Sequence, residues 1–276
     1  MNDEPRDGAP FARPARDAGE RTRTQNDDAA QPDEGFFFGI GAFETIAVEG
    51  GVPVFLERHR ARLEEALGFF GLPFDKAAVS AAIRARLRDA DPASRLALKV
   101  AVSERTIATS LRANPYTPAD YERGFRVCTS RVLRNESSPL AFRKTLCHAD
   151  CILEKRAARS RGFDEAVFLN TQGLIAEGTA SNVFFTQDGS VYTPPVACGL
   201  LPGIMRAFVC ETLPVVEHPI APGDIGAFDG MFLTNSLMGI MPVSSFDGMR
   251  FPSRAVADEL MLRYRALASS LRPEDV

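Results

Sequence analysis

The chain has 276 residues, of which 45% are hydrophobic and 25% are charged, and its net charge is −4 at pH 7. This length and composition allow one large domain or two modest ones and exclude a small disulfide-stapled scaffold. The mildly acidic balance excludes a broad polyanion-binding surface, so we expect no nucleic acid partner.

The chain start is polar and lacks the apolar stretch of a signal peptide, and no apolar run reaches the ~20 residues that cross a bilayer. We therefore expect a cytoplasmic protein without a membrane partner. The five cysteines are odd in number and scattered, which disfavours a disulfide framework. Cys147, His148, Asp150 and Cys151 lie close together, but no second Cys/His cluster completes a tetrahedral metal site, so no metal is expected.

The first half of the chain begins with polar, aperiodic residues and then alternates between strand and helix patterns. Residues 1–34 cannot bury enough apolar surface to fold and are predicted to be a disordered tail. Aromatic and β-branched residues over 35–46 predict the first strand. A helical period follows over 53–72, and Asp75 is a good N-cap for a second helix. Alternation over 95–103 predicts another strand.

The second half of the chain is richer in short strands. A strand is predicted over 125–133, and residues 135–139 read as a linker. The following residues predict helices over 146–161, from Gly203 onward and over 254–267. Turn sequences separate four short predicted strands between the first two of these helices, at 164–170, 174–177, 182–186 and 190–193.

Several sequence blocks occur together in a recognisable order. Lys144 is one of only four lysines, and its surroundings read Phe142-Arg-Lys-Thr-Leu146. The blocks after it are Gly162–Asn170, Ile175-Ala-Glu-Gly-Thr-Ala-Ser-Asn-Val-Phe184, Thr193-Pro194 and Gly199-Leu-Leu-Pro-Gly-Ile-Met-Arg206. This order resembles the fold-type IV pyridoxal-phosphate (PLP) enzymes, a family of branched-chain and D-amino-acid aminotransferases and aminodeoxychorismate lyases.

The resemblance implies a two-domain α/β (α+β) fold. Its small α/β N-terminal domain corresponds to residues 35–134. Its larger, β-barrel-like C-terminal domain, with helices, corresponds to residues 140–276 and binds PLP. Family members generally form dimers, so a homodimer is expected.

Two residues carry the catalytic chemistry that the resemblance implies. Lys144 matches the lysine that binds PLP covalently and then moves a proton of the substrate. Glu177 matches the acid that faces the pyridine nitrogen. An acid between apolar residues on a buried strand is costly to desolvate, and a cationic ring opposite it would remove that cost.

The cofactor phosphate needs its own anchors. Leu201-Pro-Gly-Ile-Met205 opens a helix, so the amides of Ile204 and Met205 are expected to bind phosphate, while Leu201 is expected to pack on the ring. His59-Arg-Ala-Arg62-Leu63 matches the family's His-x-x-Arg-Leu element, which implies a phosphate contact from Arg62. Ser236 matches a hydroxyl position that completes the phosphate site.

Other positions depart from the family pattern. His148 stands where relatives often have a tyrosine that contacts the cofactor, and a neutral imidazole could replace it, although a structural histidine at a helix start is an equal alternative. A glycine-rich loop seen in relatives is also missing. The candidates for substrate contacts are polar or apolar residues in the corresponding regions: Arg105, Arg112, Tyr116, Leu237 and Met238.

Three functions are open at this point. The first is an aminodeoxychorismate-lyase-like enzyme that eliminates pyruvate from 4-amino-4-deoxychorismate to give p-aminobenzoate for folate synthesis; Met205 and Asn235-Ser-Leu-Met238 favour it. The second is a class IV aminotransferase acting on a branched-chain or D-amino acid. The third is a catalytically dead scaffold, which the joint presence of Lys144, Glu177 and Arg62 disfavours.

Overall fold

The computed structural model describes residues 32–88 and 90–272. The predicted disordered tail lies outside these residues, apart from its last three positions. Two sheets and seven helices form the described part, which is a mixed α/β fold as predicted. None of the described helices is long and apolar enough to cross a membrane.

The first described element is a short helix where the sequence pattern predicts a strand. Helix α1 covers Glu34–Phe38, and only the later part of the predicted strand is extended. The side chain of Asp33 caps this helix by accepting from the backbone N–H of Phe36 at 3.2 Å, and Gly39 ends it in the left-handed conformation. This local capping overrides the β propensity of three consecutive phenylalanines, whose rings are exposed.

The smaller sheet has four antiparallel strands in the order β2-β1-β3-β4. Its helices follow the predicted pattern, and the Asp75 side chain caps α3 by accepting from the N–H of Ala78 at 2.9 Å. Leu63 and Leu67 of α2 and Ile83 of α3 pack with the sheet in a separate apolar core. The elements are β1 (Ala42–Glu49), β2 (Val52–Pro53), α2 (Leu56–Phe69), α3 (Lys76–Leu87), β3 (Leu96–Val102) and β4 (Ile107–Ala113).

The larger sheet is curled and has nine strands, in the order β10-β9-β8-β11-β12-β5-β6-β7, with β13 on β12. The strands are β5 (Phe125–Thr129), β6 (Glu165–Leu169), β7 (Ile175–Gly178), β8 (Asn182–Gln187), β9 (Ser190–Thr193), β10 (Val215–Glu217), β11 (Gly230–Asn235), β12 (Gly239–Phe246) and β13 (Met249–Arg250). The helices are α4 (Pro118–Arg123), α5 (Ala149–Ser160), α6 (Ile204–Thr212) and α7 (Ala255–Ser270).

The strands of the larger sheet read as apolar runs because both of their faces are covered. Phe184 and Phe232 stack on neighbouring strands with ring centroids 4.9 Å apart, and α6 and α7 supply Met205, Phe208 and Leu260 to the same core. The four predicted strands between residues 164 and 193 and the predicted helices α5, α6 and α7 are confirmed. Stacked aromatic side chains of this kind anchor a core with well-defined geometry.

Strand β5 pairs in parallel with β6 and β12, so it belongs to the larger sheet. The sequence-based division places this strand before the linker, in the first domain. The boundaries at residues 134 and 140 therefore stay a prediction, whereas the strand pairing groups residues 125–129 with the second half of the chain.

Candidate active site

A cavity of about 1100 Å³ is lined by side chains from both sheets. Its size is that of pockets that hold a cofactor together with a small substrate. Among the residues predicted from sequence to form a site, eleven line this cavity: Arg62, Arg112, Tyr116, Lys144, His148, Glu177, Leu201, Ile204, Met205, Ser236 and Leu237.

Lys144 lies on the cavity wall in the segment between a 3₁₀ turn at Pro139–Phe142 and helix α5. Its carbonyl oxygen accepts from the N–H of Phe43 at 2.9 Å, which ties this segment to strand β1. Its Nζ lies 4.6 Å from the centroid of the Phe43 ring. Burial, reinforced by the positive charge of Arg62, lowers the pKa of Lys144 to about 8. About a tenth of the amine is therefore uncharged and nucleophilic at pH 7, far more than for an ordinary lysine.

Glu177 is buried on β7 and lines the same cavity. One carboxylate oxygen accepts from Arg134 Nη2 at 2.6 Å, and the other accepts from the backbone N–H of Leu201 at 3.0 Å. Burial raises the pKa of Glu177 to about 7, against the opposing effects of Arg134 and the Leu201 N–H. The carboxyl group therefore holds a proton close to neutral pH and is held in place from two sides.

A buried carboxylate positions Arg62. Glu44 on β1 accepts from Arg62 Nε at 2.8 Å and from Arg62 Nη2 at 2.7 Å, and it also contacts His59 Nδ1 at 2.6 Å. Burial alone would raise the pKa of Glu44, but the charges and hydrogen bonds of Arg62 and His59 outweigh it and lower the pKa to about 2. The fork-shaped bond fixes the plane of the guanidinium at the cavity wall.

We expect the substitution Glu44→Gln to destabilise the protein by about 2–4 kcal/mol, because it removes the buried carboxylate that pairs with the half-buried Arg62 charge. The folded-state pKa of Glu44 lies below its ordinary value of 4.5. Its stabilising contribution is therefore present above pH 4.5 and is lost as the pH falls toward 2. Denaturant unfolding of the two proteins between pH 7 and pH 3 should show the difference shrinking; a constant difference would contradict this assignment.

The start of helix α6 forms another part of the wall. Gly203 is its N-cap, and Ile204 and Met205 open the helix. Backbone N–H groups in a first helical turn have no acceptor within the helix, so they can bind an anion. The Asn182 side chain donates to the carbonyl oxygen of Leu201 at 2.8 Å and holds the segment that leads into the helix.

Glycine is required at position 203 because a side chain there would clash with Asn182, and not because of the backbone conformation. Its φ of −72° suits any residue, but a Cβ there would lie 2.0 Å from Asn182 Oδ1. We expect Gly203→Ala to displace Asn182, cost about 1–3 kcal/mol of stability and weaken phosphate binding. The control is Gly223→Ala, where a Cβ meets nothing within 4 Å. Thermal unfolding and inorganic phosphate titration of both variants test the difference; equal behaviour would rule this contact out.

The end of β11 supplies hydroxyl and amide groups to the cavity. Thr234 is buried, and its Oγ1 has no hydrogen-bond partner among the described residues, although it lines the cavity. Ser236 follows at the strand end and is half-buried. The Asn235 side chain accepts from the backbone N–H groups of Leu237 at 2.9 Å and Met238 at 2.8 Å, which fixes this turn. A buried hydroxyl without a partner marks a place for a ligand.

His148 precedes helix α5 and faces the cavity. Its ring meets that of Phe43 edge-on, with centroids 5.3 Å apart. Burial, followed by the positive charge of Lys144, lowers the pKa of His148 to about 3. The imidazole is therefore neutral at pH 7 and can donate one hydrogen bond, which is the role that the family resemblance offers for it.

The predicted substrate residues divide into two groups. Arg112, Tyr116 and Leu237 line the cavity, and the Tyr116 hydroxyl accepts from Asn235 Nδ2 at 3.3 Å. Arg105 is exposed beside Glu104 and does not line the cavity. Met238 is buried in the large core, away from the cavity wall. A substrate-binding role for these last two residues stays a prediction that their positions do not support.

Sequence reasoning overlooked several groups that line or shape the cavity. Glu44 and Lys99 are charged residues inside mostly apolar strands, and that signal could have identified both of them. Arg134 carries no comparable local signal, because only the fold brings it to the cavity. Asn182 lies inside a recognised block, but its role depends on the approach of Leu201 from 19 positions later.

The residues present fit the PLP group that the sequence resemblance implies. Arg62, the amides that open α6, and the Thr234 and Ser236 hydroxyls are suitable ligands for a phosphate dianion. Lys144 has an amine that is partly uncharged near pH 8, and Glu177 is a carboxyl group suited to a pyridine nitrogen. All of these side chains line one cavity.

Comparison with known proteins agrees with this interpretation. A putative branched-chain-amino-acid aminotransferase of Methanocaldococcus jannaschii is 29% identical over 82% of this chain and 85% of its own length. The aminodeoxychorismate lyase of Bacillus subtilis is 26% identical over 84% of this chain and 87% of its own length. The crystal structure of a putative 4-amino-4-deoxychorismate lyase from Legionella pneumophila is 27% identical, with a TM-score of 0.74 over 88% of this chain and 98% of that one.

The model of one protein family covers most of the described chain. It is the amino-transferase class IV family, which is PLP-dependent, and it matches residues 41–246. That range includes Arg62, Lys144, Glu177 and the start of α6. The chain is therefore an enzyme of the class IV aminotransferase family.

Proposed function

We propose that this enzyme is a lyase that eliminates pyruvate from 4-amino-4-deoxychorismate and releases p-aminobenzoate, which would place it in folate synthesis. The observation that carries the proposal is the charge of the cavity wall. Among the described residues, only two acidic ones, Asp150 and Glu177, line it. The basic residues there number nine: Arg62, Lys99, Arg112, Arg134, Arg143, Lys144, Lys155, Arg156 and Arg159.

This excess of positive charge matches the proposed ligands. A phosphate dianion and a substrate with two carboxylates bring several negative charges into one cavity, while the whole chain carries a net charge of −4. A cavity of one sign concentrates ligands of the other sign and accelerates their binding. The apolar side chain of a branched-chain amino acid would gain nothing from such a wall.

PLP, when bound, withdraws electrons from the carbon next to the substrate's amine. The chain's own groups supply the rest. Lys144 would hold the cofactor, and its amine, with a pKa of about 8, would be suited to accept the ring proton as a base. Glu177 keeps a proton available at the pyridine nitrogen. The neutral His148 can donate a hydrogen bond to the cofactor's phenolic oxygen.

The relatives support two reactions. The Bacillus subtilis protein is an aminodeoxychorismate lyase, and Gly203-Ile-Met205 belongs to the sequence resemblance between this chain and such lyases. The Methanocaldococcus jannaschii protein favours the second candidate, a class IV aminotransferase acting on a branched-chain or D-amino acid. The retained amine and carboxyl groups of Lys144 and Glu177 argue against a catalytically dead scaffold.

One pair of assays separates these functions. With purified PLP-loaded protein, 4-amino-4-deoxychorismate should give pyruvate and p-aminobenzoate in equal amounts without any 2-oxo acid acceptor. Leucine or D-alanine should not bleach the cofactor's visible absorbance. Bleaching that a 2-oxo acid reverses, without pyruvate release from aminodeoxychorismate, would establish the aminotransferase. A protein that does not bind PLP would support the third function, a catalytically dead scaffold.

The resemblance also implies a homodimer, and we propose one formed near the cavity mouth. Exposed apolar side chains cluster there, at Val132, Leu133, Ile152 and Leu153. We expect sedimentation to give twice the chain mass of 30.1 kDa, and Leu133→Asp to shift the protein toward monomer. Val216→Asp, at another exposed apolar position, is the control. A wild-type monomer, or a dimer indifferent to Leu133→Asp, would refute this surface.

We also propose that the protein is cytoplasmic. The free cysteines of the described residues agree with this location. Cys128, Cys151 and Cys198 are buried, Cys210 is half-buried and Cys147 is exposed, and none forms a disulfide. Such a set is usual in a reducing compartment.

A further inference from the structure

Arg134 approaches Glu177 from the neighbouring strand of the larger sheet. Its backbone N–H donates to the carbonyl oxygen of Leu169 at 2.7 Å, and it forms an isolated parallel bridge with Asn170, so its backbone is held at the end of β6. Strand β7, which carries Glu177, pairs with β6 in the antiparallel sense. The side chain of Arg134 therefore starts from a fixed point beside the strand that holds the carboxyl group.

Three neighbours hold the guanidinium group of Arg134. Its Nη2 donates to Glu177 Oε1 at 2.6 Å, and its Nη1 donates to the sulfur of Cys151 at 3.6 Å. Its Cζ lies 5.6 Å from the centroid of the Phe168 ring. Cys151 and Phe168 are buried, and burial raises the pKa of the Cys151 thiol, so this thiol is neutral at pH 7. The guanidinium is therefore fixed by two uncharged groups, and its ion-pair partner is Glu177.

The charge of Arg134 differs in kind from the other positive charge near Glu177. Burial raises the pKa of Glu177 to about 7, and the charge of Arg134 is the strongest effect that opposes the burial, ahead of the Leu201 N–H and the Lys144 amine. The amine of Lys144 gains and loses its proton near pH 8, so its charge varies in the working range. A guanidinium stays protonated throughout that range. Arg134 is therefore the constant positive charge beside Glu177.

We infer that Arg134 is a positioning residue that makes the Glu177 carboxylate a weaker base than the pyridine nitrogen it faces, so that the single proton between them lies on the nitrogen. A positive charge at hydrogen-bond distance stabilises a carboxylate more than a neutral carboxyl group. Glu177 would then present a negative charge to a protonated ring. This inference rests on the role of Glu177 that the family resemblance implies, and it applies equally to the lyase and the aminotransferase.

The first test titrates Glu177 in the PLP-free protein. Infrared spectroscopy detects protonated carboxyl groups, and the band that Glu177→Gln removes belongs to Glu177. In the wild type this band should disappear with a midpoint near pH 7. Arg134→Gln keeps an N–H donor and removes the charge, so it should raise the midpoint by about 1–3 pH units. Arg134→Lys keeps a positive charge and should hold the midpoint close to that of the wild type.

The second test uses the PLP-loaded enzyme. The nitrogen-15 chemical shift of PLP labelled at its ring nitrogen reports whether that atom carries a proton. The wild type should give the protonated value, Arg134→Gln should move it toward the unprotonated value, and Arg134→Lys should restore it. With the substrate that the paired assays identify, kcat of Arg134→Gln should fall about 10- to 100-fold while KM stays within about threefold.

Arg123→Gln is the matched control, because Arg123 donates to Asp164 at 2.7 and 3.0 Å outside the cavity. This variant also breaks an arginine–carboxylate pair, but it should leave the Glu177 midpoint and the ring-nitrogen shift unchanged. Thermal unfolding of each variant checks that it folds, and Arg134→Met takes the place of Arg134→Gln should the latter be unstable.

The outcomes separate the role of Arg134 from that of Glu177. A higher Glu177 midpoint and a deprotonated ring nitrogen in Arg134→Gln, both reversed in Arg134→Lys, support the inference. An unchanged midpoint or an unchanged nitrogen shift in Arg134→Gln overturns it. A nitrogen shift that Glu177→Gln also leaves unchanged overturns the role of Glu177 itself, and the inference with it.

Discussion

Replacing Lys144 by alanine should reduce turnover by about 10⁴-fold or more, because one side chain both holds the cofactor and moves the proton. The variant should also lose the visible absorbance of the bound cofactor. Lys144 lies on the cavity wall, with its amine over the Phe43 ring and under the influence of the Arg62 charge. Added methylamine should restore part of the turnover, which distinguishes a missing amine from a misfolded protein.

The pKa of the Lys144 amine can be measured separately, on the PLP-free protein. Trinitrobenzenesulfonate reacts with uncharged amines, so labelling of Lys144 should rise with a midpoint near pH 8. An ordinary lysine titrates above pH 10. A Lys144 variant within tenfold of wild-type activity, or a labelling midpoint above about pH 10, would remove Lys144 from the centre of the mechanism.

Replacing Glu177 by glutamine should lower kcat by about 10²- to 10³-fold, because an amide cannot hold a proton and a charge at the pyridine nitrogen. Arg134 would also lose its 2.6 Å partner. Rapid-quench measurement of a single turnover reports the chemical step directly. The control is Glu217→Gln, which breaks another Glu–Arg pair, to Arg206 at 2.9 Å, outside the cavity. Equal rates in the two variants would show that Glu177 has no special role.

The Glu177→Gln substitution should also change how the free energy of unfolding depends on pH. In the folded PLP-free protein the pKa of Glu177 is about 7, above its ordinary value of 4.5. Between these two pH values the folded state keeps a proton that the unfolded state has lost. The free energy of unfolding should therefore fall as pH rises from 4.5 to 7, by about 3 kcal/mol at most. Glu177→Gln should remove this fall. An unchanged slope in the Glu177→Gln variant would contradict the raised pKa.

Local patterns in the sequence predicted most helices and strands, and the motif blocks and substrate candidates predicted eleven of the residues that line the cavity. Asp75 and Gly203 start their helices as expected, and Lys144, Glu177 and Arg62 meet in one cavity although they are far apart in the chain. These features depend on short-range capping and on motifs that are read as units. The predictions from sequence therefore agree best with the structure where neighbouring residues in the chain determine the local conformation.

The remaining features depend on long-range packing or on small shifts in register. Adjacent strand residues point to opposite sides, so one position separates a cavity contact from a core contact. At the turn after β11, similarly, both Leu237 and Met238 pack in the core, but only Leu237 also reaches the cavity wall. The ion pair between Glu44 and Arg62 joins residues 18 positions apart on different elements. No local pattern predicts either outcome.

The two layers around the cavity supply different kinds of side chain. Glu177, Met205 and Ser236 come from the larger sheet and its helix, whereas Lys99 and Arg112 come from the smaller sheet, whose other face packs on α2 and α3. A change of preferred substrate could therefore arise from exchanges on one exposed strand face, without loss of the reaction machinery. Such exchanges would change the charge of this strand face and leave Lys144, Glu177 and the start of α6 in place.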